Sequence, residues 1–397
     1  MSVIAVVEPH WWGHHPTFTK LIVDTLLMQG HEVLCACGDP GEVGNHIQAS
    51  AGKDTAETAN YCRLLFHDMV GAWPRYLLHP PIYRRGRFWA ESSRALKQLE
   101  RESGKAIDLV FFVTLDPFIN APLDGTDVDR LFPFPWVGLV LFPTWLHGSP
   151  GRPPSPLRSS RFRGLYLLDE TMTATASLLT GKPSWSFPDV TDVTPPPPNH
   201  ASPLLAKISS FCDGKPLIGL VGTTDRRKGI FDFLSVAKLT NAADLRFLVC
   251  GDVSTSAQNR ELAAFEKQLR KAHVRNVLHI RQRLHDGIEF NSVIQRLSLL
   301  WTAYPHFPFS SNLLTKASFF RVPVAANVGG LIARRVTDYD LGVVLPAQDA
   351  EKSLSVIRAF LHRQEIREPR YSDYFQLHST DRAYQQLAKL QSLVDDK

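Results

Sequence analysis

Three adjacent cations lie in a short segment that follows a predicted strand and precedes a predicted helix. The segment, residues 222–229, reads Gly-Thr-Thr-Asp-Arg-Arg-Lys-Gly and contains Arg226, Arg227 and Lys228. Gly222 lets the backbone approach a ligand closely. The N-terminus of the following helix adds unpaired N–H groups and the positive end of the helix dipole. This combination predicts a site for a diphosphate, and a solvated basic turn is the alternative.

A second candidate anion site lies at the start of the helix predicted from residue 313. Ser310, Ser311 and Asn312 are residue types that cap helix N-termini, and they follow a strand predicted over residues 299–304. The N–H groups of this helix start would bind the same kind of ligand. An ordinary capped helix is the alternative.

A further segment combines aromatic rings with arginines. Its members are Trp73, Tyr76 and Trp89 together with Arg75, Arg84, Arg85 and Arg87. Such rings lie at the level of lipid headgroups and arginines bind lipid phosphates, so the segment predicts peripheral attachment to an anionic membrane surface. Packing against the core, with a solvated basic edge, is the alternative.

The elements that position these residues alternate between strands and helices. Short apolar runs predict strands in the first half at residues 3–7, 32–37, 108–113, 136–142 and 165–168. The second half restarts the alternation, with strands predicted at residues 216–221, 245–250, 277–280, 299–304, 322–326 and 342–345. Repeated strand–helix–strand units form doubly wound parallel sheets, whose ligands bind at the carboxyl ends of the strands.

Four consecutive prolines, residues 195–198, lie between the two halves. Prolines cannot join the interior of a sheet and favour a stiff, extended spacer. We therefore predict an α/β protein of two doubly wound, Rossmann-like domains that face each other across a cleft. The domains are predicted to span residues 1–195 and 214–375, and a helix within residues 376–397 is expected to return to the first domain.

Composition sets the remaining limits. The chain has 397 residues and a formal charge of +5, which favours phosphates or an anionic surface without requiring nucleic acid. Five scattered cysteines predict reduced thiols, and no acidic cluster has metal-ligand spacing, so we expect neither a metal nor a cofactor. The N-terminus lacks the features of a signal peptide and no apolar stretch is long enough to span a bilayer, so a cytoplasmic location is expected, with peripheral contact at the inner face of the membrane.

The order of these motifs resembles that of the large retaining GT-B family of glycosyltransferases, the family 4-like or group 1 enzymes. The matching segments are Gly30-His31-Glu32-Val33, residues 222–229, Gly251-Asp252, residues 310–317, and the Val-Pro-Val-Ala-Ala-Asn-Val-Gly-Gly stretch at residues 322–330. The resemblance covers residues 1–36 and 216–350, and the middle of the chain more loosely. It implies a GT-B fold in which the N-terminal domain binds the acceptor and the C-terminal domain binds a nucleotide-sugar donor.

The resemblance also implies roles for individual residues. On the donor side these are Gly222, Thr223, Thr224, Arg226, Lys228, Gly251, Asp252, Ser310, Ser311, Asn312, Leu313 and Lys316. On the acceptor side they are Gly13, His14, His15 and Asp116, and the implied catalytic residues are Arg227, Lys228 and His147.

Two positions depart from the pattern of that family. Thr223 stands where the family has a phosphate-binding arginine, so Arg226 or Arg227 would replace it. Pro308 and Lys316 stand where the family has two glutamates, of which the second binds the donor ribose. An ammonium group only donates hydrogen bonds, so Lys316 would contact a phosphate or a carboxylate-bearing sugar instead.

The sequence thus predicts a metal-independent glycosyltransferase of the hexosyltransferase class, acting in polysaccharide or glycolipid biosynthesis. It would move a sugar from a nucleoside-diphosphate sugar to a hydroxyl of a glycan, a lipid-linked acceptor or a small molecule, and the resemblance implies retention of configuration. A sugar-nucleotide epimerase or a phosphorylase on the same fold is one alternative. A non-catalytic GT-B binding subunit is another, favoured by Pro308 and Lys316.

Overall fold

A computed structural model of the chain describes residues 2–11, 13–50, 62–64, 85–147, 151–252, 256–271, 274–363 and 369–395. The chain divides into two compact units. Unit 1 comprises Met1–Val190 and His378–Lys397, and unit 2 comprises Thr191–Leu377. Each unit is built around one sheet of parallel strands.

Unit 1 has a seven-stranded sheet with the order β3-β2-β1-β4-β5-β6-β7. Its strands are β1 (Val3–Glu8), β2 (Glu32–Cys37), β3 (Cys62–Leu64), β4 (Leu109–Phe112), β5 (Trp136–Val140), β6 (Phe162–Leu167) and β7 (Ser184–Ser186). Its first six helices are α1 (His15–Met28), α2 (Pro40–Ser50), α3 (Arg87–Ser103), α4 (Asp116–Ile119), α5 (Gly125–Leu131) and α6 (Thr173–Thr180). The strand order reverses direction between β1 and β4, and ligands of open α/β sheets bind beside such a reversal.

Unit 2 has a six-stranded sheet with the order β10-β9-β8-β11-β12-β13, which reverses between β8 and β11. Its strands are β8 (Leu217–Val221), β9 (Arg246–Cys250), β10 (Val277–Ile280), β11 (Leu299–Thr302), β12 (Val324–Asn327) and β13 (Gly342–Leu345). Its helices are α7 (Pro203–Cys212), α8 (Ile230–Lys238), α9 (Ser256–Lys271), α10 (Ile288–Gln295), α11 (Asn312–Phe319), α12 (Gly330–Tyr339), α13 (Ala350–Leu361) and α14 (Tyr371–Leu377).

The chain ends with two helices that belong to unit 1, α15 (Thr380–Leu387) and α16 (Leu390–Asp395). Leu387 and Leu390 are fully buried in the same apolar cluster as Ile22 of α1 and Tyr166 of β6. The Tyr166 hydroxyl donates a hydrogen bond to the Gln386 carbonyl at 3.0 Å. The terminal segment therefore completes one face of the unit 1 sheet.

The opposite face of that sheet buries Trp89, and this corrects one prediction. Trp89 is 0% exposed, it packs against Phe112 and Trp136, and its indole N–H donates to the Phe118 carbonyl at 3.0 Å. The prediction that Trp89 is an interfacial anchor is wrong, because its ring faces the core of unit 1.

The remaining members of the basic-aromatic segment are placed as follows. Arg85 is exposed and Arg87 is half-buried, whereas residues 73–84 lie outside the described residues. Within the described part of the chain, no helix combines the length and apolar character needed to cross a membrane.

Candidate functional site

The loop after β8 is held in a fixed shape by short-range contacts. Thr224 is fully buried, and its N–H donates to the Asp252 carbonyl at 2.6 Å. Gly222 has a φ of +95° and its N–H donates to the Cys250 carbonyl at 2.9 Å. A side chain on Gly251 would collide with the Gly222 carbonyl. The glycines therefore allow the loops after β8 and β9 to touch at the carboxyl edge of the sheet.

Lys228 points back along this loop towards the end of β8. Its ammonium donates to the Val221 carbonyl at 3.4 Å and lies 5.8 Å from the centre of the Tyr304 ring. The Asp225 carboxylate caps the turn Arg226–Lys228 by accepting from the Lys228 N–H at 2.9 Å. The half-buried ammonium is thus fixed where the backbone of two loops converges.

The two arginines of the loop differ in their partners. The Arg226 guanidinium forms a two-point ion pair with Glu261, with Nε to Oε2 at 3.0 Å, and so is directed to α9. Arg227 lies over the Phe307 ring at 5.2 Å, and a guanidinium nitrogen is 3.7 Å from the Asp225 carboxylate. Arg227 is the arginine directed towards the loop after β11.

The loop after β11 leads into α11, whose N-terminal capping residue is Ser311. The sequence predicted a side-chain cap here, but the Ser311 side chain forms no capping hydrogen bond with the first turn of α11. Ser310 instead accepts a hydrogen bond at 2.7 Å from Arg335, a residue that is 2% exposed. Asn312 is the first helical residue, and Leu313, which follows it, is buried.

These two loops meet at the reversal of strand order in unit 2. Gly229 has a φ of +72° and is packed so closely that a Cβ there would lie 2.6 Å from the Ala303 carbonyl oxygen. The cations of Arg227 and Lys228 lie over Phe307 and Tyr304 of the second loop. The structure therefore brings Lys228 and Arg227 against the loop that leads into α11. Thr223 and Asp252 are exposed beside them.

The contacts of Lys316 are with other residues than those of this group. Its side chain is 1% exposed, and its ammonium donates to Asp286 at 2.7 Å, to the side-chain oxygen of Asn291 and to the Asp192 carbonyl. Burial lowers the pKa of Lys316, and the nearby Asp286 carboxylate opposes this shift. The predicted contact between Lys316 and the donor stays a prediction, since the ammonium already has three protein partners.

In unit 1, His15 is the first residue of α1 and takes part in a buried polar cluster at the end of β1. Its Nδ1 lies 3.1 Å from Glu8 Oε2 and 3.0 Å from Thr114 Oγ1. His14 stacks on His15 with ring centres 5.0 Å apart, and Gly13 turns the chain with a φ of +61°.

Asp116 and His147 follow β4 and β5. The Asp116 carboxylate accepts from the Leu141 and Phe142 N–H groups at 2.9 and 2.8 Å, so it fixes the chain after β5. Burial raises the pKa of Asp116, and these two hydrogen bonds oppose the shift. His147 is half-buried at the end of the single turn Thr144–Leu146, and its catalytic role stays a prediction.

Several residues of these clusters were not predicted from the sequence. They are Glu8, Thr114, Arg335, Asp286 and Asn291. Thr114, Arg335, Asp286 and Asn291 each contact a predicted site residue that is distant in sequence, so no local signal marks them. Glu8 contacts the nearby His15, and its position directly after a predicted strand could have identified it as a candidate. Among the described residues, no group of three or more histidine, cysteine or acidic side chains could hold a metal ion.

Comparison with solved protein structures identifies the fold. No family model and no curated protein sequence matches the chain. Among solved structures, sucrose-phosphate synthase from Thermosynechococcus elongatus matches over 100% of both chains, with 15% identity and a TM-score of 0.65. Anabaena HepE, solved with UDP and glucose, matches over 98% of this chain and 99% of that chain, with 11% identity and a TM-score of 0.65. This is the GT-B fold.

A further GT-B structure points the same way. WaaG, a glycosyltransferase involved in lipopolysaccharide biosynthesis, matches over 99% of both chains with 15% identity and a TM-score of 0.54. The resemblance to GT-B glycosyltransferases that the sequence predicts is confirmed at the level of the fold. Both strand-order reversals and the loops that follow them belong to this GT-B framework.

Proposed function

We propose that the chain transfers a glycosyl group from a nucleoside-diphosphate sugar to an acceptor hydroxyl, and that unit 2 binds the donor. The proposal rests on the convergence of two strand-to-helix loops at the reversal of strand order in unit 2, with Lys228 and Arg227 between them. It is supported by the GT-B structures solved with UDP, UDP-glucose and UDP-2-fluoro glucose.

The chemistry follows from the charges at this point of the sheet. When the bond between sugar and diphosphate breaks, negative charge develops on the leaving diphosphate. Fixed cations such as Lys228 and Arg227, together with the N–H groups at the start of α11, stabilise that charge in the transition state. We propose that these groups neutralise the diphosphate without a metal ion. The acceptor, whether a glycan, a lipid-linked sugar or a small molecule, is bound by unit 1.

Calorimetry with a panel of nucleoside diphosphates tests the donor site. Replacing Lys228 with alanine removes a charged hydrogen-bond donor worth about 1.5–3 kcal/mol, so affinity should fall by about tenfold to a hundredfold. Lys238→Ala is the matched control, because Lys238 is an exposed lysine on the helix that follows the same loop. Unchanged affinity in Lys228→Ala would exclude the proposed phosphate site, and a wild-type protein that binds no nucleotide would exclude the donor altogether.

A non-catalytic binding subunit is the second candidate function. It is favoured by Lys316, which stands where the resemblance implies a ribose-binding glutamate and is bonded to Asp286 and Asn291. Release of nucleoside diphosphate from a bound sugar nucleotide separates the two functions. Steady release supports the transferase, and tight binding without release supports the binding subunit.

A further inference from the structure

A cavity of about 430 Å³ lies in unit 2 between the helices α8 and α9 and the strands β9 and β10. Its size falls within the range of about 300–1,000 Å³ that is usual for small-molecule sites. Of the described residues that line it, none belongs to the turn Arg226–Lys228 or to the loop after β11. The cavity therefore differs in its lining from the residues that we propose for the donor phosphates.

One wall of the cavity is aliphatic. The side chains that form this wall are Ile230, Leu234, Val249, Leu262, Val274 and Val277. β10 is an edge strand of the sheet, and Val277 on it is only half-buried. Removing apolar surface from water is favourable, so this wall favours a ligand with an apolar body.

The other side of the cavity has four polar side chains, Glu266, Arg270, His279 and Arg281. Glu266 binds two of them, because one carboxylate oxygen contacts Nδ1 of His279 and the other accepts from Arg281 at 2.8 Å. Arg270 is exposed and forms no ion pair or hydrogen bond with the described residues. The two arginines outnumber the one carboxylate, so this side of the cavity favours an anion.

His279 adds a buried polar atom to this side. Its side chain is 14% exposed, and its Nε2 is buried without a hydrogen-bond partner among the described residues. The Glu266 carboxylate only accepts hydrogen bonds, so it keeps a proton on Nδ1. Nε2 is the nitrogen left for a ligand, and it donates to an anion when the ring is protonated. A buried polar atom without a partner is unfavourable, and the polar head of a ligand would remove this cost.

We propose that this cavity is a binding site for a small amphiphilic anion. The apolar body would lie against the aliphatic wall, and a carboxylate or phosphate head would lie beside Arg270 and Nε2 of His279. An inorganic anion would leave the aliphatic wall in contact with water, and a hydrocarbon would leave Nε2 without a partner. A ligand with both parts satisfies the whole cavity. The site does not depend on the proposed glycosyl transfer.

Calorimetry on the full chain with octanoate and octyl phosphate tests the site. The two probes have the same apolar chain, so the tighter one identifies the head group. Acetate has the head without the chain, and 1-octanol has the chain without the charge. We expect saturable binding of one probe molecule per chain and no binding of acetate at the same concentration. 1-Octanol should bind about two- to fivefold more weakly, since an exposed charge pair contributes this much.

The aliphatic wall is tested by Val277→Phe, which puts a larger side chain into the cavity. The matched control is Val343→Phe, because Val343 is also a half-buried valine on an edge strand, β13, of the same sheet. Val277→Phe should lose the binding of octanoate, whereas Val343→Phe should bind it as the wild type does. Thermal unfolding of both variants shows whether each is folded.

The charged side is tested by Arg270→Gln, an exposed change that keeps the proposal testable even where Val277→Phe does not fold. Arg260→Gln is its control, since Arg260 is an exposed arginine on the same helix that does not line the cavity. The affinity for octanoate should fall by about two- to fivefold in Arg270→Gln alone. The affinity for 1-octanol should be unchanged in both variants.

Hydrogen exchange in the presence of octanoate locates the bound probe. Slower exchange confined to α8, α9 and β10 supports the proposal. A wild-type protein that binds neither octanoate nor octyl phosphate would overturn it, and so would equal octanoate affinity in all four variants. Displacement of octanoate by a nucleoside diphosphate would place the probe in the donor site and overturn a separate site. Binding of octanoate without binding of any nucleotide would support this site and exclude the proposed donor site.

Discussion

At the scale of single residues, Lys316 shows how an ammonium is accommodated within a protein core. Its side chain is 1% exposed, and burial alone lowers its pKa. Asp286 supplies the opposite charge, while Asn291 and the Asp192 carbonyl accept its other hydrogen bonds. Because Asp192 lies three residues before the four consecutive prolines, this one lysine ties the segment that precedes them to α10 and α11 of unit 2. A Lys316→Glu change would put a second carboxylate beside Asp286. The repulsion between the two carboxylates would destabilise the fold, so this variant does not report on donor preference alone.

We expect Lys316→Met to destabilise unit 2. The change leaves the Asp192 carbonyl and Asn291 without their donor, and a broken buried pair costs about 3 kcal/mol, reduced here because Asp286 keeps some access to water. Urea unfolding measures the change. Lys352→Met is the control, since Lys352 forms an exposed pair with Asp349 that is worth about 0–1 kcal/mol. Equal stability of the two variants, with a loss of nucleotide affinity in Lys316→Met, would mean that Lys316 serves the donor instead.

At the scale of elements, the geometry of the candidate donor site depends on close packing between the loop after β8 and the loop after β11. Gly229 ends the basic turn, precedes α8 and lies directly against the Ala303 carbonyl of the neighbouring loop. A larger residue at this position would separate the loop after β8 from the loop after β11. The proposed arrangement of Lys228 and Arg227 against Tyr304 and Phe307 would then be lost.

Gly229→Ala should therefore weaken nucleotide binding as well as stability. The matched control is Gly214→Ala, because Gly214 has a φ of +70° against +72° for Gly229, but no atom lies within 4 Å of its Cβ position. Both variants incur a left-handed backbone strain of about 1–2 kcal/mol. Only Gly229→Ala adds a collision with the Ala303 carbonyl, so its unfolding midpoint should be lower and its affinity for nucleoside diphosphate reduced. Identical affinities in calorimetry would contradict a role for this loop contact in donor binding.

At the scale of the whole molecule, both sheets have the same arrangement around their first strand. The order runs β3-β2-β1-β4 in unit 1 and β10-β9-β8-β11 in unit 2, so each unit has a reversal with a loop on either side. Unit 1 is not a continuous stretch of chain, because its last helices come from His378–Lys397. The stability of unit 1 therefore depends on residues that lie almost two hundred positions after the end of its main segment.

We expect Leu387→Ala to destabilise unit 1 by about 2–5 kcal/mol, the usual cost of removing a buried leucine side chain. Leu387 is 0% exposed and belongs to the apolar cluster of Ile22 and Tyr166. Gln385→Ala is the control, since Gln385 lies on the exposed side of the same helix. Hydrogen exchange at the amides of β1 and β6 measures the local loss. Equal protection in the two variants would contradict a structural role for the terminal helices in unit 1.

The sequence by itself determined the alternation of strands and helices and, with it, the two doubly wound domains, while the GT-B fold was implied by the family resemblance. The second strand was predicted at residues 32–37 and is observed as Glu32–Cys37. Strands buried on both faces appear as short continuous apolar runs, and that signal is local. The half-buried three-residue edge strand β7 was missed, because it has no such run.

Only the tertiary structure decided the partners of the candidate site residues. His15 meets Thr114 across 99 positions, Lys316 meets Asp192 across 124, and Ser310 meets Arg335 on the next helix. The same holds for Trp89, whose aromatic and basic neighbours favoured a membrane surface but whose ring is covered by Phe112 and Trp136. Local periodicity indicates which face of an element is buried. It does not indicate which other element covers that face, because this depends on the order in which the strands pair.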